Sequence, residues 1–246
     1  MTLPPMSNFS RLAFDKSGAL RTLVRNALPQ HCALCTAACG DTLVCAACNG
    51  ALPRIGEACP LCALPASGGA VCGACLGKPP PFDATRAAFV YAYPVDRLIH
   101  ALKYGARLAY ADFFAGALAT RIVVCPDILV ALPLATSRQR QRGFNQAQEI
   151  ARQLAQITGV PVSAGLTRIR DTPAQASLPW HLRAKNVAGA FAGSPVLAGR
   201  RIAIVDDVMT TGATLAAAAM AARRAGAAAV EAWVVARTLP PVVKRK

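Results

Sequence analysis

The sequence predicts an α/β protein, a parallel β-sheet flanked by helices, with a small cysteine-rich module in front of it. Three observations carry that prediction. Nine of the ten cysteines lie between Cys32 and Cys75. Beyond them, short apolar runs alternate with helix-length amphipathic ones, the pattern of repeated βαβ units. The chain also has 246 residues, 54% hydrophobic and 16% charged, which is enough for one α/β domain and a satellite.

The cysteines come first in the chain. Cys32, Cys35, Cys45 and Cys48 follow the spacing C-x2-C-x9-C-x2-C, and Cys59, Cys62, Cys72 and Cys75 repeat it 27 residues later. Chance placement gives roughly 0.4 C-x-x-C pairs in such a chain, and four are present. Two residues between thiolates let a tight turn aim both sulfurs at one metal, and two such turns complete a tetrahedral site. The spacing therefore predicts up to two structural Zn2+ ions, each closed to water and so unable to activate it. A disulfide framework is the alternative, and it requires an oxidising compartment. Cys39 and Cys125 stand outside the repeat.

Composition changes at Lys78-Pro79-Pro80-Pro81, a stiff proline run. The expected organisation is an N-terminal helical segment over 1–31, a double zinc-ribbon domain over 32–78, a linker at 79–82 and an α/β domain over 83–246.

Within the last of these, residues 88–93 read as a strand and 94–104 as a helix with Leu98, Ile99 and Leu102 on one face. Residues 128–134 form a short apolar run suited to a buried parallel strand, followed by a basic loop and a helix over 145–158 that Gly159 ends. Residues 201–205 and 229–237 are further strands, with a helix over 212–224 between them.

The stretch from Arg201 to Thr214 runs an apolar strand into two adjacent acids and a hydroxyl-rich turn. Asp206 and Asp207 have no apolar role at the end of a buried strand, but they can accept hydrogen bonds from a vicinal diol or hold hydrated Mg2+. Thr210, Thr211, Gly212, Ala213 and Thr214 open a helix, so free amides, hydroxyls and the helix dipole converge on one phosphate-sized place. Together they describe a ribose 5-phosphate pocket at the carboxyl end of a strand. Arg138, Arg140 and Arg142 follow Pro133 and Leu134 in a second such position, where guanidinium forks suit pyrophosphate oxygens. Residues 168–187 then read as a mobile loop.

The segment Val205-Asp206-Asp207-Val208-Met209-Thr210-Thr211-Gly212-Ala213-Thr214 resembles the phosphoribosyl pyrophosphate (PRPP) signature of type I phosphoribosyltransferases. With the cysteine repeat, the Arg142-Gly143-Phe144-Asn145-Gln146 loop and the Thr172-Pro173-Ala174-Gln175 segment, the chain resembles the competence protein F (ComF) family over residues 32–240. The resemblance implies a type I phosphoribosyltransferase fold in which residues 206–214 bind PRPP, with Asp206 and Asp207 on the ribose hydroxyls. It implies a pyrophosphate loop of Leu134, Arg138, Arg142 and Asn145, and a mobile loop carrying Thr172, Gln175 and Arg183. Asp206, Asp207, Arg138 and Arg142 would be the catalytic set, with Mg2+ entering together with PRPP. The departure is Pro179-Trp180-His181-Leu182 before Arg183, where family members often carry polar residues.

Two functions follow as expectations. One is transfer of a phosphoribosyl group to an unidentified acceptor with release of pyrophosphate, a glycosyltransferase reaction. The alternative is a PRPP-binding accessory protein for DNA uptake and natural transformation that binds single-stranded DNA and meets DNA-uptake proteins. Net charge agrees with an anionic partner, since residues 83–246 hold 21 Lys and Arg against 9 Asp and Glu. The only long apolar stretch, 58–77, is broken by four Cys, two Pro and four Gly, so no membrane span is expected. With no export signal legible, the expected location is the cytoplasm. The oligomeric state stays open, a dimer being compatible with it.

Overall fold

The computed structural model describes residues 31–105, 109–171 and 187–240. The helical segment expected over 1–31 lies outside them save for His31, as do Thr172, Gln175 and Arg183. The chain forms two compact units, 1–50 and 51–246.

In the first unit, Cys32 and Cys35 sit on one turn, Cys45 directly precedes the short helix α1 (Ala46–Gly50) and Cys48 lies within it. Thr36, which follows Cys35, has φ +62°. In the second unit the repeat recurs: Ala63 follows Cys62 with φ +56°, and helix α2 (Gly73–Gly77) carries Cys75. A left-handed conformation costs an L-residue about 1–2 kcal/mol, so each turn must be held from outside.

The second unit is built on four strands, β1 (Ala84–Val90), β2 (Ile128–Ala131), β5 (Arg201–Met209) and β6 (Ala229–Arg237). All pair in parallel in the order β1-β6-β5-β2. Residues 202–205 and 232–236 are buried without alternation, so both faces of the central strands are covered. Helices α3 (Val95–Gly105), α4 (Ala109–Ala119), α5 (Thr136–Arg142) and α6 (Gln146–Thr158) lie between β1 and β6 in sequence. Of these, α4 and α6 pack on each other and on the sheet. Helix α7 (Ala213–Arg224) packs on β5 and β6 and on an antiparallel pair, β3 (Leu166–Arg168) with β4 (Phe191–Gly193). Trp233, Phe89, Phe114, Leu118 and Leu154 fill the core.

Several expected boundaries shift. The first strand starts at Ala84 rather than 88, because its polar residues find partners: Arg86 pairs with Glu231, and Thr85 Oγ1 donates to the Leu61 carbonyl at 2.6 Å. The basic loop is the helix α5, whose first amides, Thr136 and Ser137, are capped by the distant Asp171 at 2.9 and 3.3 Å. Strand β5 runs on to Met209, so the acid pair lies inside it. The expected break at 79–82 is not where compactness changes. Residues 53–61 line the outer edge of β1: Val90 N donates to Pro53 O, Ile55 N to Ala88 O and Thr85 N to Pro60 O, at 2.7, 3.2 and 2.8 Å. A sheet edge left bare is a liability, and here the segment that leads into the second cysteine repeat covers it. Among the described residues, no helix is long and apolar enough to cross a membrane.

Candidate functional site

Strand β2 lies between β5 and the segment of Val162, which bridges Leu129 in parallel. The chain leaves β2 through α5 and α6 to one side and returns at β5 on the other. A crevice therefore opens between the carboxyl ends of β2 and β5, the position where doubly wound sheets take ligands. The arginine helix follows β2, and the acid pair and threonine turn close β5, so topology brings both predicted loops to this crevice.

The turn is shaped by Gly212, at φ +80°, where an added Cβ would lie 2.7 Å from Cε of Met209. Thr211 Oγ1 accepts from Ala213 N at 3.1 Å, which fixes the entry into the twelve-residue helix α7. The first amides of that helix lack intrahelical partners and point out of its amino end. Thr210 and Thr214 flank them, both half-buried.

The acid pair is differentiated. Asp207 is 5% exposed; its Oδ2 lies 2.7 Å from Nζ of Lys103 in α3 and accepts from Gln146 Nε2 at 3.3 Å. Burial acts against ionisation of Asp207, but the Lys103 charge and its hydrogen bond prevail and hold the carboxyl below its usual value. Burial likewise opposes the ammonium of Lys103, and Asp207, with Asp206 behind it, holds that group above the ordinary lysine value. Asp206 is half-buried, and burial together with the Asp207 charge raises it well above the carboxylate range. Two neighbouring acids are thus pushed in opposite directions.

A ring of side chains joins this pair to the arginines. Gln146 Oε1 accepts from Arg142 Nη1 at 3.1 Å, Arg142 Nη2 donates to Tyr104 Oη at 3.3 Å, and the guanidinium lies over the Tyr104 ring. Tyr104 neighbours Lys103 in α3, which closes the ring. Asn145 caps α6 by accepting from Ala147 N and donates from Nδ2 to the Leu132 carbonyl, pinning the loop to the end of β2. Leu134 is half-buried in that loop. Arg138 Nη2 and Arg142 Nε are buried donors that meet no acceptor among the described residues. Arg168 stacks on Phe191, and burial and then the Arg138 charge lower its pKa, against the opposing pull of Asp171. An anion is the chemical complement of such a set.

The sequence did not reveal Lys103 or Tyr104, and it showed Gln146 only as the end of the Arg142–Gln146 motif, without a role. Lys103 carried one signal: it stands four residues after the buried Ile99, beside the apolar face of α3, where a lysine needs a partner.

Both cysteine sets gather as the spacing predicts, each with its four sulfurs within 4.8 Å of one another. Cys35 and Cys45 have sulfurs 3.7 Å apart, and Cys62 and Cys72 3.6 Å. A tetrahedron with metal–sulfur bonds of about 2.3 Å has edges of about 3.8 Å. The residues therefore fit structural zinc, with sequential cysteines in each site, and Cys39 and Cys125 belong to neither cluster.

A parallel sheet bearing an arginine loop and an acid-threonine turn, with paired four-cysteine clusters, defines a phosphoribosyltransferase-type protein with a double zinc ribbon. A family model described as phosphoribosyl transferase domain matches residues 113–241, and one described as double zinc ribbon domain matches 23–76. The DNA utilization proteins YhgH of Salmonella typhi and Escherichia coli are each 36% identical over 171 residues, 66% of this chain and 75% of theirs. Competence protein F of Haemophilus influenzae is 31% identical over 156 residues, 62% of this chain and 65% of its own. The chain belongs to the competence protein F family. Among solved structures, glutamine PRPP amidotransferase from B. subtilis aligns over 50% of this chain and 25% of its own at 24% identity and a TM-score of 0.37. Purine phosphoribosyltransferase from Pyrococcus horikoshii aligns over 66% and 96%, at 16% identity and 0.28.

Proposed function

We propose that this protein binds PRPP with Mg2+ in the crevice between β2 and β5 and acts as an accessory protein in DNA uptake or utilisation. The carrying observation is the pair of buried, acceptorless donors on Arg138 and Arg142, the latter tied to Asp207 through Gln146. A pyrophosphate group satisfies such donors. Asp206 and Asp207 accept from the ribose hydroxyls, while the amides and hydroxyls of residues 210–214 take the 5-phosphate. Asp206, which leaves the direct ion pair with Lys103 to Asp207, is the member suited to Mg2+, which when bound supplies positive charge to the pyrophosphate oxygens. Support for the DNA role comes from the names of the relatives, DNA utilization protein and competence protein F, and from the basic excess of residues 83–246.

The second reading is transfer of the phosphoribosyl group. The bond from the anomeric carbon to pyrophosphate breaks, an acceptor bonds to that carbon and gives up a proton, and pyrophosphate leaves toward Arg138 and Arg142. The same acceptorless donors favour it, since they neutralise charge that grows on the leaving group.

Calorimetric titration with PRPP and Mg2+ tests both. Binding is expected for the parent protein and a loss of at least about tenfold in affinity for Arg138→Gln with Arg142→Gln. No heat and no thermal stabilisation by PRPP would refute the site. Pyrophosphate release on adding a panel of bases and nucleotides moves the assignment to the second reading.

A further inference from the structure

The two halves of the second unit meet at one buried cation. Arg237 ends β6 and is 4% exposed, and no carboxylate among the described residues pairs with it. Its Nε donates to the carbonyl of Cys62 at 2.7 Å. Its Nη1 donates to the carbonyls of Met209 at 3.0 Å, of Thr210, and of Thr238 at 2.8 Å. Cys62 belongs to the second cysteine cluster, and Met209 and Thr210 begin the threonine turn. One guanidinium thus grips a metal-binding turn with one edge and the phosphate turn with the other.

The chemistry explains why an arginine stands there. A buried guanidinium needs countercharge, and four thiolates around one Zn2+ leave a net charge of −2 beside it. The fork also presents donors in fixed directions that an ammonium cannot reproduce. On the other side, the Cys62 carbonyl is aimed by a turn whose next residue, Ala63, is buried in the left-handed conformation. Beside the backbone bonds Ala63 N to Cys59 O and Cys59 N to Leu64 O, ligation of zinc by the cysteines before and after Ala63 would hold that conformation, and loss of metal would free it to relax and to turn the carbonyl away.

We infer that Arg237 is a positioning residue that couples zinc in the Cys59, Cys62, Cys72 and Cys75 cluster to the shape of the phosphate turn over 210–214. Zinc orients the Cys62 carbonyl, Arg237 transmits that constraint to the Met209 and Thr210 carbonyls, and the amides of the turn are held ready for an anion. By reciprocity, an anion on the turn slows zinc loss from this cluster. The inference rests on the ligand reading above only in its second half.

Two measurements on the full-length protein test it. The first uses no ligand: hydrogen exchange of the amides over 210–215, with and without zinc in the second cluster. A zinc-selective chelator empties the cluster in the parent protein, and Cys62→Ser empties it by mutation. Exchange is expected to rise at least about fivefold, and Cys35→Ser, in the first cluster, is expected to leave it unchanged. Equal exchange with and without the second zinc overturns the inference. The second follows chelator-driven zinc release with ribose 5-phosphate present. It slows release of one zinc equivalent at least about fivefold in the parent and not in Arg237→Lys, which keeps charge without the fork. Retention of the effect in Arg237→Lys overturns the role given to this residue. If ribose 5-phosphate binds nowhere, the ligand reading fails while the exchange measurement still decides the coupling.

Discussion

Nζ of Lys103 stands 2.7 Å from Oδ2 of Asp207, with side chains 20% and 6% exposed. The pair locks one carboxylate of the site in its charged form and leaves Asp206 as the acid whose ionisation is costly. Removing either partner strands the other's charge. Lys103→Met is expected to destabilise the protein by about 3 kcal/mol, read by denaturant unfolding at neutral pH. Because Asp207 is held below its unfolded value, the stability it contributes is full above that value and disappears as pH falls through the folded one. The variant should lose that part of the acid limb, and an unchanged pH profile would contradict the assignment.

Asp206 has the opposite sign. Its carboxyl is raised in the fold, so its effect favours folding most at low pH and turns into a cost as pH climbs from the ordinary carboxylate value toward the raised one. At neutral pH that cost is present in full or in part. Asp206→Asn should therefore stabilise the unliganded protein by about 1 kcal/mol while removing the thermal shift given by PRPP with Mg2+. Paired melts with and without ligand read both effects. A destabilised variant that still responds to PRPP would reverse the reading.

Metal analysis should return two zinc equivalents, one per cluster. Cys45→Ser is expected to release one, and Cys72→Ser the other. If either variant emptied both clusters, the separate grouping of sequential cysteines would not hold in solution.

Strand β4 passes unusually close to α7: a Cβ on Gly193 would meet the Ala221 carbonyl oxygen and Cβ of Ala225, each at 2.7 Å. Backbone cannot yield there as a flexible side chain would. Gly193→Ala should cost about 1–3 kcal/mol in unfolding free energy.

Binding of single-stranded DNA is best tested at Arg170, which is exposed, rather than at Arg168, which lies on Phe191 and within the field of Arg138. Arg170→Gln should lower the slope of log affinity against log salt by about 0.7 and leave PRPP stabilisation intact. Equal slopes in parent and variant would remove this residue from any DNA surface.

Much of this arrangement was legible because it is written in local chemistry. Strands β2, β5 and β6 show as apolar runs since both their faces are buried, and the cysteine repeat specifies its clusters by spacing. The Asp206 to Thr214 stretch announces itself because acids at the end of an apolar strand have no packing role. What escaped depends on partners remote in sequence. Helix α4 buries Tyr110, Ala111, Phe114, Ala115 and Leu118, a set so uniformly apolar and alanine-rich that no clear stripe marks it. The arginine segment is helical because Asp171 caps it from 35 residues away. Lys103 borders the apolar face of α3, but its partner Asp207 emerges only when α3 is laid against the end of β5. The proline run suggested a boundary on composition, whereas the backbone hydrogen bonds of residues 53–61 carry the second unit past it.

Those hydrogen bonds decide how the chain can be dissected. A fragment starting at residue 83 would keep every strand of the parallel sheet yet expose the amides and carbonyls of β1 along one side. It is expected to self-associate through that side, strand to strand. A fragment starting at Ala51 brings its own cover and should stay monodisperse as long as its zinc remains bound. The segment that leads into the second cysteine repeat is therefore a guard against aggregation, and loss of zinc from that cluster would endanger the solubility of the chain as well as the shape of the phosphate turn.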